Sequence, residues 1–213
     1  GYGLDYASTR DIGMLPVAIP AQGCGDATTL GIFKLRDEPP FALHLAAGGQ
    51  ERKLGADLNS TIEWPEGAPA LRVGTVQINT QQDAKQVSWL KPAAFLARGQ
   101  GGSNLNPMRI ADAALQFDTL VSAAPKSAVM LSMQCGAACG GGIDLRATFS
   151  AMPIGRKQTV IVPLACFAKR GVDMGGIDVP FRIDADKPFS AAFTSIQVVA
   201  GAGKHANAVA CDP

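Results

Sequence analysis

The stretch Val129 to Phe149, VMLSMQCGAACGGGIDLRATF, constrains the chain most, because it spells two alternating strands joined by a reversal that two cysteines can lock. Val129, Leu131 and Met133 share one phase, while Ser132 and Gln134 take the other. Ile143, Leu145, Ala147 and Phe149 likewise oppose Asp144, Arg146 and Thr148. Alternation with period two predicts an antiparallel hairpin with one buried face. Cys135 and Cys139 enclose its loop as a local disulfide staple, and Gly140, Gly141 and Gly142 are expected to supply the positive φ that a tight reversal needs.

The rest of the chain repeats this pattern. Leu30 to Leu35 predicts a strand, Phe41, Leu43 and Leu45 alternate with Ala42, His44 and Ala46, and Gly48 and Gly49 turn the chain. Leu71 and Val73 change parity to Val76 and Ile78, which predicts a bulge at Gly74 and Thr75. Val87 with Trp89 and Leu115 with Phe117 mark further strands, and Gly99 to Pro107 is a loop. Thr159 to Leu164 is a β-branched strand, followed by one helical turn over Ala165 to Lys169 that Gly171 stops. Phe189, Ala191 and Phe193 change parity to Ile196 and Val198, predicting a second bulge near Thr194. About ten short strands at sandwich spacing, with no long helix, predict an all-β sandwich. Residues 1–20 read as a linker or tail and residues 21–213 as the sandwich domain. The chain opens on Gly1 with a motif already under way, so it is expected to start inside a longer protein.

Composition excludes several functions. With a net charge of +1 and 17% charged residues, the chain is too balanced for electrostatic capture of nucleic acid, and no run of apolar residues is long enough for a helical membrane span. Five cysteines leave an odd one. Cys166, inside the apolar VIVPLACFA, is expected to be a buried free thiol, while Cys24 and Cys211, near opposite ends, are expected to pair. Two disulfides imply an oxidising compartment, periplasmic or secreted; the alternative leaves all five cysteines reduced.

No catalytic constellation is evident. His44 and His205 have no metal-binding spacing, and His44 takes the polar phase of a strand, as an exposed surface residue would. Ser103 lacks the glycine that closes a nucleophile elbow. Acidic residues are numerous enough for chance glycosidase pairs, such as Asp144 with Asp173 or Asp184. No cofactor is expected, although Asp184 and Asp186 in RIDADKP are candidates for a structural calcium ion. Two tryptophans are candidate sugar platforms, since an exposed ring offers an apolar face to a pyranose. Trp89 shares phase with Val87, which also suits a core residue. Trp64, in the loop-like TIEWPEG, is read either as a platform or as a plug in an interface.

Several segments together resemble a known arrangement. GYGLDY (1–6) resembles the GYGL-hydroxyl-aromatic motif near the end of the second domain of family 3 glycoside hydrolases, with Asp5 in place of the usual Ser or Thr. DAKQVSW (83–89), the 129–145 hairpin, PLACFAKRGVDM (163–174) and the PFRI to FTSIQVV ending resemble the extra C-terminal domain of bacterial exo-1,3/1,4-β-glucanases of that family. The resemblance implies a galactose-binding-like jelly-roll sandwich, belonging to a parent enzyme that cleaves β-glucosidic bonds with retention. In that family both catalytic carboxylates lie upstream of the GYGL motif, so no catalytic residue carries over to this chain. The implied role is a non-catalytic accessory domain that packs on the catalytic domains of the same polypeptide and contacts β-glucan or gluco-oligosaccharide. The competing readings are an autonomous carbohydrate-binding module and a self-sufficient hydrolase.

Overall fold

The structure is a computed structural model that describes residues 29–34, 36–55, 60–63, 67–79 and 82–211. The expected boundary at residues 20 and 21, the GYGLDY segment, Cys24 and Trp64 lie outside the described residues.

Among the described residues, thirteen strands follow in chain order: β1 (Thr29–Phe33), β2 (Ala42–Ala47), β3 (Gln50–Lys53), β4 (Ser60–Glu63), β5 (Pro69–Asn79), β6 (Gln82–Trp89), β7 (Ala93–Arg98), β8 (Ala114–Ala123), β9 (Val129–Gln134), β10 (Gly140–Asp144), β11 (Lys157–Pro163), β12 (Val179–Ala185) and β13 (Phe189–Val199). Three short helices interrupt them: α1 (Asn106–Ile110), α2 (Arg146–Ser150) and α3 (Leu164–Lys169). The strands form two antiparallel sheets. The seven-stranded sheet runs β11-β8-β13-β6-β5-β4, with β1 also on β13; the six-stranded sheet runs β10-β9-β12-β7-β2-β3. This is the all-β sandwich that the alternation predicts, with thirteen strands among the described residues where about ten were expected.

Alternation puts one set of side chains from each sheet into a shared aromatic core. Phe193 sits at its centre, with ring centroids 5.8 Å from Phe95, 5.9 Å from Phe117 and 6.1 Å from both Trp89 and Phe181. Phe149 enters this cluster from α2, 5.2 Å from Phe189. Beyond the area they bury, edge-to-face and offset ring pairs contribute about 0.5–1.5 kcal/mol each.

The expected bulge near Thr194 is present: the β8–β13 register shifts between Thr194 and Gln197, and Ser195 takes φ 52°. This is how Phe193, Ile196 and Val198 are all fully buried despite opposite parity. The bulge expected at Gly74 and Thr75 is absent, because β5 stays in regular register with β6 from Leu71 through Gln77. Leu71 and Val73 face the core, while Val76 and Ile78 are half-buried on the opposite face. Period two allows apolar residues on both faces, and here both are used.

The central hairpin also differs from expectation. Its second strand ends at Asp144, whose carboxylate accepts N–H groups from Val129 and Arg146 at 3.1 and 2.9 Å, and the chain then coils into α2. The reversal is Cys135 to Cys139, where Gly136 takes φ 105°. Gly140, Gly141 and Gly142 lie within β10, paired with Gln134, Met133 and Ser132. At Gly142 the need is space: an added Cβ would lie 2.8 Å from Leu131 O and 2.9 Å from Ser132 Cβ. Gly171 stops α3 as expected. With φ 91° it closes a Schellman arrangement, its own N–H returning to Ala168 O and that of Val172 to Phe167 O.

Cys135 is bonded to Cys139, and Cys166 to Cys211. The second bond overturns both the free thiol at Cys166 and the Cys24–Cys211 pair. Cys166 is buried as the apolar context demands, at 1% exposure. After β13 the chain turns at Gly201, passes through a 3₁₀ turn at Ala202–Lys204 and returns over β11, where Val209 N–H donates to Ile161 O. That return brings Cys211 to the start of α3, with the two Cα atoms 4.9 Å apart. No local pattern foretells the path of a closing segment across a sheet.

Candidate functional site

The candidate site is the outer face of the six-stranded sheet. Register aligns two rows across it. Glu51 (β3) is opposite Ala46 (β2), Ala46 opposite Ala94 (β7), and Ala94 opposite Asp184 (β12). The next row runs Lys53, His44, Leu96, Arg182 and Ser132. Strands are about 4.8 Å apart, so Glu51 and Asp184 stand on backbones about 14 Å apart, with two alanines between them. The short methyl side chains leave a groove of ≈ 520 Å³. Its end is formed by three chain reversals, carrying Gly48 and Gly49, Pro92, and Asp186. Gly48 and Gly49 both have positive φ, 56° and 79°, as a two-residue hairpin turn requires.

The charged groups are locked in pairs. Arg98 donates to both oxygens of Glu51, each at 2.7 Å, and its other terminal nitrogen lies 3.6 Å from Asp178. Arg182 holds both oxygens of Asp184 at 2.8 and 3.0 Å. Such forks fix carboxylate and guanidinium planes in place. The Arg98 hydrogen bonds hold the Glu51 carboxyl below its ordinary pKa, and Glu51 in turn raises that of Arg98.

His44 is not the exposed surface residue its phase suggests. It is half-buried, with Nδ1 3.2 Å from Glu51 Oε2, and burial lowers its pKa despite that carboxylate. Leu96, on the same outer face, is fully buried in a small cluster with Ala94 and Val179, against which Ala46 packs. Asp37, whose carboxylate accepts the Leu43 N–H at 3.4 Å, is raised by burial.

Of the sequence candidates, Trp89 is no sugar platform. It is 1% exposed, stacked on Phe189 at 5.1 Å, and its indole N–H donates to Ala93 O at 3.1 Å. Asp184 and Asp186, the calcium candidates, both line the groove, and Arg182 donates one hydrogen bond to each oxygen of Asp184. Among the described residues no three His, Cys, Asp or Glu side chains group as a metal site. The Gly99 to Pro107 loop closes on Ile177 through a pair of backbone bonds at Ser103, which leaves Ser103 as a structural bridge. Glu51, Arg98 and Arg182 escaped the sequence reading. Their signal was charge at the outward phase of apolar strands, in QERK, AAFLAR and VPFRIDA.

The chain belongs to the Galactose-binding domain-like family, whose profile matches residues 40–198. No curated protein matches it in sequence. Among solved structures it is similar to the extra C-terminal domain (X) of the exo-1,3/1,4-β-glucanase ExoP from a Pseudoalteromonas species, at 16% identity and TM-score 0.67, covering 84% of this chain and 95% of that one. It also superposes on the larger ExoP structure at 16% identity and TM-score 0.68, covering 92% of this chain but only 23% of that one. A family 30 carbohydrate-binding module aligns at 14% identity and TM-score 0.58, over 81% of this chain and 87% of the module.

Proposed function

We propose that this chain is a non-catalytic C-terminal accessory domain of a family 3 glycoside hydrolase acting on β-glucans, where it packs on catalytic domains of the same polypeptide. The observation that carries this reading is its likeness to nearly all of the ExoP X domain, itself a minor part of a longer glucanase. The GYGLDY motif at residues 1–6 supports it, as does a core whose rings are spent on packing. The two disulfides fit a periplasmic or secreted parent. Catalysis belongs to the parent: the chain alone is expected to leave an aryl β-glucoside intact. The test is association of the separately produced chain with the catalytic portion of its parent, followed by analytical ultracentrifugation. A stable complex supports the reading; a chain that stays free and hydrolyses the glucoside overturns it.

A second reading, an autonomous carbohydrate-binding module, is favoured by the likeness to the family 30 module and by the open groove on a sheet face. It predicts saccharide binding by the isolated chain with no complex.

A further inference from the structure

We propose that the groove between Glu51 and Asp184 is a binding site for a neutral saccharide, held by its vicinal hydroxyls rather than by ring stacking. This rests on the carbohydrate-related role proposed above and adds the site and its mode of recognition.

Three features carry it. The floor is Ala46 and Ala94, so the depression is built into the register of β2 and β7 and does not depend on a mobile side chain. Its two flanks carry planar groups already fixed by bidentate bonds, Glu51 by Arg98 and Asp184 by Arg182. A carboxylate oxygen has a second lone pair beyond the one an arginine uses, and a guanidinium has five N–H donors. The Asp184 flank, where Arg182 also lines the groove, therefore keeps acceptors and donors side by side, the complement of two adjacent hydroxyls, while Glu51 adds carboxylate acceptors on the other side. Because these groups are ordered before any ligand arrives, binding carries little cost in side-chain entropy.

Charge selects the class of ligand. Each fork is internally neutralised, and among the described lining residues Asp186 adds a further negative charge at the groove's end. An anionic ligand would meet that carboxylate, and a cationic one would find Glu51 and Asp184 already paired with arginines. A neutral polyol meets neither obstacle. Among the described residues no aromatic side chain lines the groove, so hydrogen bonds must supply the affinity, which places it at about millimolar.

The experiment is a two-dimensional ¹H–¹⁵N titration of the whole 213-residue chain with a β-1,3-linked tetrasaccharide, a β-1,3/1,4-linked tetrasaccharide and an oligogalacturonate as anionic control. Two variants accompany it: Asp184→Asn, which keeps the shape but loses an acceptor, and Ala46→Leu, which fills the floor. Saturable shifts at residues 46–51, 94 and 182–186 with a glucan, an affinity lowered at least about tenfold in each folded variant, and weaker binding of the galacturonate are the expected result. If Ala46→Leu fails to fold, Asp184→Asn decides. The inference is overturned by no saturable shift up to about 20 mM ligand, by binding that both variants retain, or by preference for the anionic sugar. A chain that binds no glucan yet joins the catalytic portion sinks the groove while leaving the accessory role intact. Glucan binding without that complex keeps the site and removes the accessory role.

Discussion

The two faces of the six-stranded sheet are made by the same strands and could hardly differ more. Inward, Leu43, Leu45, Phe95, Phe181, Ile183 and Leu131 are all at or below 1% exposure and meet the other sheet. Outward, the intervening residues His44, Ala46, Leu96, Arg98, Arg182 and Asp184 mostly carry charge or leave space. Among the described residues the aromatic rings, Trp89 among them, are inside. A face that needs no rings to hold the fold together is free to hold paired ions and a shallow groove. The comparison teaches that in such a sandwich the residues that stabilise and those available for a ligand alternate one by one.

The sharpest way to break this contrast is on neighbouring residues of β7. Phe95→Ala removes a core ring and is expected to cost about 3–5 kcal/mol, read from urea unfolding. Leu96→Ala, equally buried but in a small outer cluster whose surroundings can settle into the gap, should cost nearer 2 kcal/mol. Equal losses would mean that the outer face is packed as rigidly as the core. The disulfides compare in the same way. Removing Cys166–Cys211, which closes a loop with a sequence separation of 45, should cost about 4 kcal/mol, against about 2 kcal/mol for Cys135–Cys139 with a separation of 4.

Gly142→Ala forces a methyl against Leu131 O and Ser132 Cβ and should cost about 1–3 kcal/mol by thermal unfolding. A tolerated alanine would show that β10 can shift away from β9. His44 provides a pH test. Its pKa is lowered in the fold below the ordinary 6.5, so between the two values the unfolded chain binds more protons. Its contribution is therefore complete above pH 6.5 and is lost as pH falls through the folded pKa. Urea unfolding of His44→Gln should lack this decline. Glu51, also lowered, loses its contribution only as pH drops below 4.5, a separate window. The smallest expected effect is Glu51→Gln at pH 7, within about 1 kcal/mol because the pair with Arg98 is partly solvated.

Much of the fold was legible because burial in a sandwich writes itself with period two. The β2 and β9 alternations, the bulge near Thr194 and the α3 stop at Gly171 could each be read from a few residues. Where apolar residues occupy both faces, as at Val76 and Ile78, parity no longer distinguishes a bulge from a regular strand. The β10 glycines misled for a related reason: close approach of Leu131 and Ser132 demands glycine as strongly as positive φ does, and only coordinates separate the two demands.

The candidate site was less legible. Asp184 and Asp186 stood out as acids in a turn, but their setting depends on Arg182, and on Glu51 and Ala46 more than a hundred residues away. Sequence alone determined which residues could be buried and where most of the chain reversals fall. Tertiary structure decided which strands became neighbours, which cysteine Cys166 meets, and that two alanines from different strands would fall in one row between two arginine-held carboxylates. The physical reason is range: alternation and turn chemistry act over a few bonds, whereas strand order and register follow from the packing of the whole core.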